Sequence, residues 1–253
     1  SEGKISIKAE AKGILKINLT ALSSINGIEM VMFATLHNNT VVEKDQTVAG
    51  TRIIPLVTEV QKIEEVERIC EKLGRVLNIN EIKPRKVGVV VTGSEVFEGR
   101  IKDKFGPVLR DKVSDYDSQL IGLKYAPDDK EKIEEAIQTL LSDGAELILT
   151  AGGMSVDADD VTPNAIEGIS DKVITYGSPV LPGAMFMLAY KGEIPILGIP
   201  ACGMYFRTTA LDLVLPRVLA GEILTKKDIT ALAHGGLCLG CEVCRYPVCP
   251  FGK

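Results

Sequence analysis

Four of the six cysteines lie close together near the end of the sequence, in a pattern that could bind a metal. They are Cys238, Cys241, Cys244 and Cys249, and a proline follows the last one. The spacing Cys-x2-Cys-x2-Cys-x4-Cys-Pro approximates a run that holds iron–sulfur clusters, with one additional residue before the last cysteine. Zinc sites usually separate their cysteine pairs by more residues. The pattern predicts a bound Zn²⁺ or iron–sulfur cluster, with reversible disulfide chemistry and inert thiols as the alternatives.

Three short loops that contain glycine form a second group of candidate residues, and each follows an apolar run. They are Thr92-Gly93-Ser94-Glu95, Gly152-Gly153-Met154-Ser155 and Pro200-Ala201-Cys202-Gly203. Glycine lets backbone N–H groups approach an anion closely, and a following helix N-terminus adds partial positive charge. The loops together predict a site for an anionic ligand, although each alone could be an ordinary turn. They lack the phosphate-binding motifs of P-loop and dinucleotide-binding proteins.

Three carboxylates follow the second loop, at Asp157, Asp159 and Asp160. A Mg²⁺ ion that bridges one of them to phosphate oxygens would neutralise the local negative charge. The alternative is that one aspartate caps the next helix while the others face water. Cys202 lies in the third loop, where its thiol is either structural or a contact for the ligand.

The segments that would position these loops alternate between strands and helices from residue 85 to residue 230. Apolar runs predict strands at residues 87–91, 146–150, 194–199 and near Val173. Apolar stripes at helical spacing predict helices at residues 105–113, 129–141, 163–168 and 204–219. This alternation predicts an α/β fold, a three-layer α/β/α sandwich with a mostly parallel sheet. Ligands bind beyond the carboxyl ends of the strands in such sheets, which is where the loops lie.

A small β-rich domain is predicted for residues 1–84, and a Cys-rich tail for residues 231–253. Alternating apolar residues predict strands at residues 5–9 and 15–19. A strand at residues 28–36 is expected to form a hairpin with Val41-Val42 through a turn at residues 37–40, and another strand is expected at residues 51–57. A helix through residues 63–77 leads to the domain junction near residue 84.

Composition excludes several classes of protein. The 253 residues carry a formal net charge of -5, whereas a general nucleic-acid binder needs a basic surface. No apolar run approaches the roughly 20 residues that cross a bilayer, and the first residues lack a signal-peptide core. The clustered cysteines are unlike a secreted disulfide scaffold. We therefore expect a cytoplasmic protein that binds neither nucleic acid nor membranes.

At its loops the sequence resembles the molybdopterin-binding domain family of molybdenum-cofactor biosynthesis, the MogA/MoeA type. The likeness covers roughly residues 86–225, and its segments occur in a common order. They are residues 92–95, 99–103, 149–156 with Asp160, 181–185 and 198–200. The resemblance implies a three-layer fold that binds molybdopterin, a pterin dithiolene carrying a phosphate.

Related proteins of this family adenylylate molybdopterin, or insert molybdate into the adenylylated form and release AMP. By resemblance, Gly152, Gly153 and Ser155 hold the phosphate end, and Asp160 lies with Mg²⁺ or molybdate. Glu95 is the second candidate catalytic carboxylate. The remaining implied cofactor-binding residues are Thr92, Gly93, Ser94, Met154, Pro182, Gly183, Pro200 and Cys202.

Departures from the family pattern leave the activity open. The insertion enzymes usually carry Asp where Ser94 stands and Lys where Ala184 stands, and their later Pro-Gly-Asn-Pro loop is replaced here by residues 200–203. The lost Lys and Asp remove a phosphate-binding cation and a metal ligand. The sequence is compatible with two functions. One is a molybdotransferase-like enzyme, and the other is a non-catalytic carrier or sensor that serves a molybdoenzyme, with a metal- or Fe–S-binding tail. A redox or metal-storage protein is a third alternative, and the family implies a homo-oligomer.

Overall fold

The computed structural model describes residues 3–54, 57–155 and 160–253. The chain divides into two compact units, Ser1–Ile82 with Lys253, and Lys83–Gly252. Among the described residues, every helix is too short or too polar to cross a membrane.

The first unit contains two three-stranded antiparallel sheets, with the strand orders β1-β5-β3 and β4-β2-β6, and two helices. Its elements are β1 (Ile5–Lys8), β2 (Gly13–Ile17), α1 (Leu19–Asn26), β3 (Val31–Thr35), β4 (Val41–Val42), β5 (Thr47–Ile53), α2 (Val60–Leu73) and β6 (Leu77–Glu81). Pro55 and Leu56, in the strand predicted at residues 51–57, lie outside the described residues.

Side chains of asparagine explain two differences from the predicted strands of this unit. Leu19 begins a helix rather than ending a strand, because the Asn18 side chain caps α1 by accepting from the Ala21 N–H at 3.0 Å. The hairpin predicted between β3 and β4 is wrong, since β3 pairs with β5 and β4 pairs with β2. The intervening turn is held to β2 instead, where the Asn38 side chain accepts from the Ile17 N–H at 3.0 Å.

A six-stranded sheet of order β10-β11-β12-β9-β7-β8 forms the centre of the second unit. The pairs β12–β9, β9–β7 and β7–β8 are parallel, and β10–β11 and β11–β12 are antiparallel. The strands are β7 (Lys86–Thr92), β8 (Gln119–Ala126), β9 (Leu147–Ala151), β10 (Lys172–Tyr176), β11 (Met187–Lys191) and β12 (Ile194–Ile199). The helices are α3 (Ser94–Phe97), α4 (Phe105–Ser114), α5 (Lys130–Ser142), α6 (Thr162–Ile169), α7 (Ala210–Leu219) and α8 (Lys226–Ala231).

Helices cover this sheet and confirm the predicted α/β sandwich with a mostly parallel sheet. Helices α5 and α6 pack on one face, where Ile133, Ile137 and Ile166 join a buried cluster with Ile148 and Ile196 of the strands. Helix α4 contacts β7 and β8 through buried residues outside that cluster and is joined to α7 by the ion pair of Lys112 with Asp212. The Cys-rich tail packs within the same unit.

The last long helix begins later than its apolar pattern predicts. Residues Ala201–Met204 form a 3-10 turn, and α7 starts at Ala210. Thr209 and Asp212 form a capping box there, in which the Asp212 carboxylate accepts from the Thr209 N–H at 2.7 Å.

Candidate functional site

Three strand ends lie in register at one edge of the large sheet. Val91 of β7 pairs with Ala151 of β9, and Ala151 pairs with Ile199 of β12. The glycine loops that follow these strands therefore begin side by side, as their position after parallel strands predicts.

The antiparallel strand β11 brings a fourth segment to this edge. Met187 at its start pairs with Gly198 near the end of β12, so the preceding Pro182 and Gly183 lie on the side where β12 ends. The Pro182 carbonyl accepts from the Ala210 N–H at 3.1 Å, and a Cβ on Gly183 would lie 2.7 Å from that nitrogen. This segment is packed against the start of α7.

Gly152 and Thr92 hold the first two loops together. A Cβ on Gly152 would lie 2.2 Å from the Thr92 carbonyl oxygen, and Gly152 has a φ of +99°. Only glycine combines this close approach with that backbone conformation. The Thr92 hydroxyl is buried and lies 2.9 Å from the Thr162 hydroxyl at the start of α6. Thr92 thus packs directly against Gly152 and supports the loop that follows β9.

Asp160 is bonded to the second loop. Its carboxylate accepts from the Ser155 N–H at 2.5 Å, and the Tyr176 hydroxyl donates to the Ser155 carbonyl at 3.3 Å. Burial raises the pKa of Tyr176, and the Asp160 charge raises it further, so the phenol stays protonated. Asp157 and Asp159 lie outside the described residues. The Met154 side chain is buried in the core, so its backbone alone can face a ligand.

Ser94 of the first loop forms a reciprocal pair with Asp128. The Ser94 N–H donates to the Asp128 carboxylate at 2.9 Å, and the Asp128 N–H donates to the Ser94 hydroxyl oxygen at 3.1 Å. The Gly93 N–H donates to the Ala126 carbonyl at 3.0 Å. Glu95 is exposed. Sequence reasoning missed Asp128 because it missed β8, the strand that carries it to this edge.

A cavity of about 410 Å³ lies beside Asp103, in the segment of residues 99–103. The Tyr125 hydroxyl donates to the Asp103 carboxylate at 3.0 Å, while Lys102 and Arg110 also line the cavity. Burial raises the pKa of Tyr125, and the bond to Asp103 raises it further. The lining holds two cations, Lys102 and Arg110, and two carboxylates, Asp103 and Asp111, so their formal charges balance.

Pro200 and Cys202 start the loop after β12. Pro200 is buried and precedes the 3-10 turn, and the Cys202 carbonyl accepts from the Tyr205 N–H at 3.0 Å. Burial raises the pKa of the Cys202 thiol. The thiol is therefore predominantly neutral near pH 7 and a poor nucleophile in this state.

All four tail cysteines line one cavity of about 420 Å³, whose other wall includes residues 205–208. The Thr208 hydroxyl lies 3.3 Å from the Cys244 sulfur. Bonds from this hydroxyl and from the Tyr246 N–H lower the pKa of Cys244. The cysteines are free thiols, and within the described part of the chain no three Cys, His, Asp or Glu residues are placed to hold a single metal ion.

Known proteins match the second unit in sequence. A family model described as a probable molybdopterin binding domain matches residues 88–220, just over half of the chain. A CinA-like protein of Mycobacterium sp. strain MCS is 36% identical over 77 residues, which are 30% of this chain and 18% of that protein. A CinA-like protein of Mycolicibacterium vanbaalenii is 38% identical over 77 residues with the same shares. The matched segment thus spans less than a fifth of each of these curated relatives.

Solved structures with a similar chain path include MoaB of Thermus thermophilus, a molybdopterin biosynthesis enzyme. That alignment covers 55% of this chain and 98% of MoaB, with 21% identity and a TM-score of 0.48. A MoeA protein of Pyrococcus horikosii aligns over 87% of this chain and 71% of its own, with 15% identity and a TM-score of 0.44. The likeness to these structures concerns the fold alone.

Proposed function

Because this chain belongs to the family of probable molybdopterin-binding domains, we propose that it binds molybdopterin at the sheet edge where β7, β9 and β12 end. The observation that carries this proposal is the register of Val91, Ala151 and Ile199, which starts three glycine loops side by side. A ligand that carries a phosphate and a polar ring system can then contact several loops at once.

The loop after β9 supplies the anion-binding part of this proposed site. Gly152 and Gly153 both have positive φ, and this conformation lets successive backbone N–H groups turn toward an anion. Ser155 adds a hydroxyl beside them. Thr92 and Thr162 support the loop from below, so a phosphate would meet a preformed surface rather than order a mobile one.

We propose that Mg²⁺ binds at this edge as an ion shared with the ligand. Mg²⁺ usually binds one or two carboxylates together with substrate phosphate oxygens and water. Asp160 is a described carboxylate that can serve in this way, although its bond to the Ser155 N–H shows that it also shapes the loop. When bound, the ion would neutralise phosphate charge. Asp160 would hold it and keep Ser155 in place.

We propose that the reaction is insertion of molybdate with release of AMP. The alternative function is that of a non-catalytic carrier. The exposed Glu95 supports insertion, since its carboxylate is free to approach a ligand over the first loop. Two observations favour a carrier that delivers the pterin to a molybdoenzyme. Ser94 is paired with Asp128, and the exposed Ala184 stands where the insertion enzymes usually carry Lys.

Two substitutions of Asp160 separate its charge from its hydrogen bond. Asp160→Asn removes the charge and keeps an acceptor for the Ser155 N–H, whereas Asp160→Ala removes both. The assay measures molybdopterin affinity by equilibrium dialysis and AMP release from adenylylated molybdopterin with molybdate and Mg²⁺. Asp143→Asn is the matched control, because Asp143 precedes β9 at the opposite edge of the sheet.

For an insertion enzyme, Asp160→Asn should lower AMP release at least tenfold and change the affinity little, while Asp160→Ala should weaken both. Tight pterin binding without AMP release by the unmodified protein would select the carrier. Absence of pterin binding by the unmodified protein would contradict the proposal altogether.

Metal binding by the Cys-rich tail is a second proposed function. The observation that favours it is that all four tail cysteines line one cavity. Metal analysis of protein purified without oxygen tests it, and less than about a tenth of an equivalent of both zinc and iron would contradict it.

A further inference from the structure

The four tail cysteines line one cavity. Cys238, Cys241, Cys244 and Cys249 all line the cavity of about 420 Å³. Four thiolates that bind one Zn²⁺ at about 2.3 Å would have sulfur atoms about 4 Å apart. No three metal-binding side chains of the described residues are placed to hold one ion. An iron–sulfur cluster spreads its thiolates over several iron atoms and suits such a cavity.

Charges and hydrogen bonds around the cavity suit an anionic cluster. Arg207 and Arg245 line it and can offset the negative charge of a cluster with four thiolates, while Glu242 opposes them. The Thr208 hydroxyl, 3.3 Å from the Cys244 sulfur, can donate to that sulfur once it is a thiolate. Hydrogen bonds of this kind tune the reduction potential of a cluster.

Contacts on both sides of the cysteines fix the segment that carries them. The Cys238 N–H donates to the Leu181 carbonyl at 2.8 Å, which holds the beginning. The Tyr246 hydroxyl donates to the Asp212 carbonyl at 3.1 Å, and the buried Phe251 ring packs edge-on against Tyr246. These contacts lie within the α/β unit, so they anchor the tail to it.

We propose that the tail binds a four-iron iron–sulfur cluster through Cys238, Cys241, Cys244 and Cys249. Each thiol loses its proton to solvent and binds one iron atom through its sulfur. The first three cysteines repeat the x2 intervals of the ferredoxin run. In two-cluster ferredoxins the cysteine of the final Cys-Pro binds the other cluster, so the assignment of Cys249 to the same cluster rests on its place in the shared cavity. This inference rests on the proposed metal binding by the tail and names the class of metal centre.

The test uses the full chain, expressed in a host that assembles clusters and purified without oxygen. Iron, zinc and acid-labile sulfide are measured together with visible absorption. The test variant is the double substitution Cys241→Ser with Cys244→Ser. Cys70→Ser is the matched control, because Cys70 lies in α2 of the other unit. Thermal unfolding of each variant verifies that it folds, and molybdopterin binding is measured separately.

We expect about four iron and four sulfide per chain, retained in Cys70→Ser and lost in the double variant. Zinc at about one equivalent with only traces of iron would overturn the cluster while leaving metal binding in place. Absence of both zinc and iron would overturn the cluster and the proposed metal binding by the tail. Iron retained by the double variant would also overturn the assignment of ligands.

Thr208→Val provides a test that keeps every cysteine. The variant should retain its iron but show a more negative reduction potential, because a hydrogen bond to a ligand sulfur stabilises the reduced cluster. An unchanged potential would contradict the assignment of Cys244 as a ligand.

Discussion

The backbone N–H of Cys238 donates to the carbonyl oxygen of Leu181 at 2.8 Å. The Leu181 N–H in turn donates to the Gly236 carbonyl at 2.8 Å, and Leu181 and Leu237 form a parallel bridge. Leu181 directly precedes Pro182 and Gly183, which lie at the edge proposed to bind the pterin. The first cysteine of the tail is thus joined by the backbone to this edge, so the tail is a structural part of the α/β unit.

Phe251→Ala should therefore destabilise the α/β unit. The Phe251 side chain is 3% exposed and packs against Tyr246, so its removal leaves a cavity that costs about 3 kcal/mol. Chemical denaturation followed by circular dichroism measures the change. Phe97→Ala is the control, since Phe97 is 53% exposed and should cost less than about 0.5 kcal/mol. Equal effects of the two substitutions would show that the tail does not contribute to the core.

The sequence predicted the parallel part of the sheet because buried strands have a simple signature. The strand at residues 194–199 matches β12, and those at residues 87–91 and 146–150 differ from β7 and β9 by one residue at each end. Strands β8 and β11 were missed. Strand β8 is mostly half-exposed and lacks a continuous apolar run. Strand β11 is buried and lies in the apolar run of residues 184–190, so its signature was present in the sequence and was overlooked.

In the candidate site, too, some residues could be placed from local sequence patterns and others could not. The three loops after the predicted strands could be placed together because parallel strands bring their carboxyl ends to one edge. Asp128, Tyr125 and Tyr176 could not, since each reaches the site through pairing or a loop conformation that no local pattern encodes. Their partners, Ser94, Asp103 and Ser155, belong to segments that the sequence did single out.

Gly152→Ala should be far more costly than Gly144→Ala. Both glycines have positive φ, so both substitutions incur a conformational cost of about 1 kcal/mol. A Cβ on Gly152 would also lie 2.2 Å from the Thr92 carbonyl, whereas a Cβ on Gly144 would meet nothing within 4 Å. We expect a loss of about 3 kcal/mol or more for Gly152→Ala by chemical denaturation, with weakened molybdopterin binding. Similar losses of stability for both variants would contradict the close packing of Thr92 against Gly152.

Asp228 should stabilise the protein near neutral pH and lose this effect in acid. Burial alone would raise its pKa, but bonds from the Thr225 hydroxyl and N–H and from the buried Arg217 lower the pKa to about 2. A carboxyl group with a lowered folded-state pKa contributes its full stability above the unfolded value near 4 and loses it as pH falls toward 2. The side chain is 34% exposed, so solvent screening reduces the expected contribution to about 1 kcal/mol.

Denaturation of Asp228→Asn at several pH values measures this contribution. The variant should be about 1 kcal/mol less stable than the unmodified protein at pH 7, and the difference should shrink between pH 4 and pH 2. Glu135→Gln is the control, because the ion pair of Glu135 with Lys132 is exposed on both sides and should contribute little. A difference for Asp228→Asn that stays constant with pH would show that its effect is not due to ionisation.

Thr150→Val should stabilise the protein. Thr150 is fully buried in β9, and its hydroxyl has no hydrogen-bond partner among the residues that the structure describes. Valine has a similar shape and removes the buried hydroxyl, which should add about 1 kcal/mol to the free energy of unfolding. Thr150→Ser is the matched comparison, because it keeps the hydroxyl and loses the methyl group, and it should be less stable than the unmodified protein by about 1 kcal/mol. Chemical denaturation measures both, and a loss of stability in Thr150→Val would mean that the hydroxyl has a bonding partner such as a buried water.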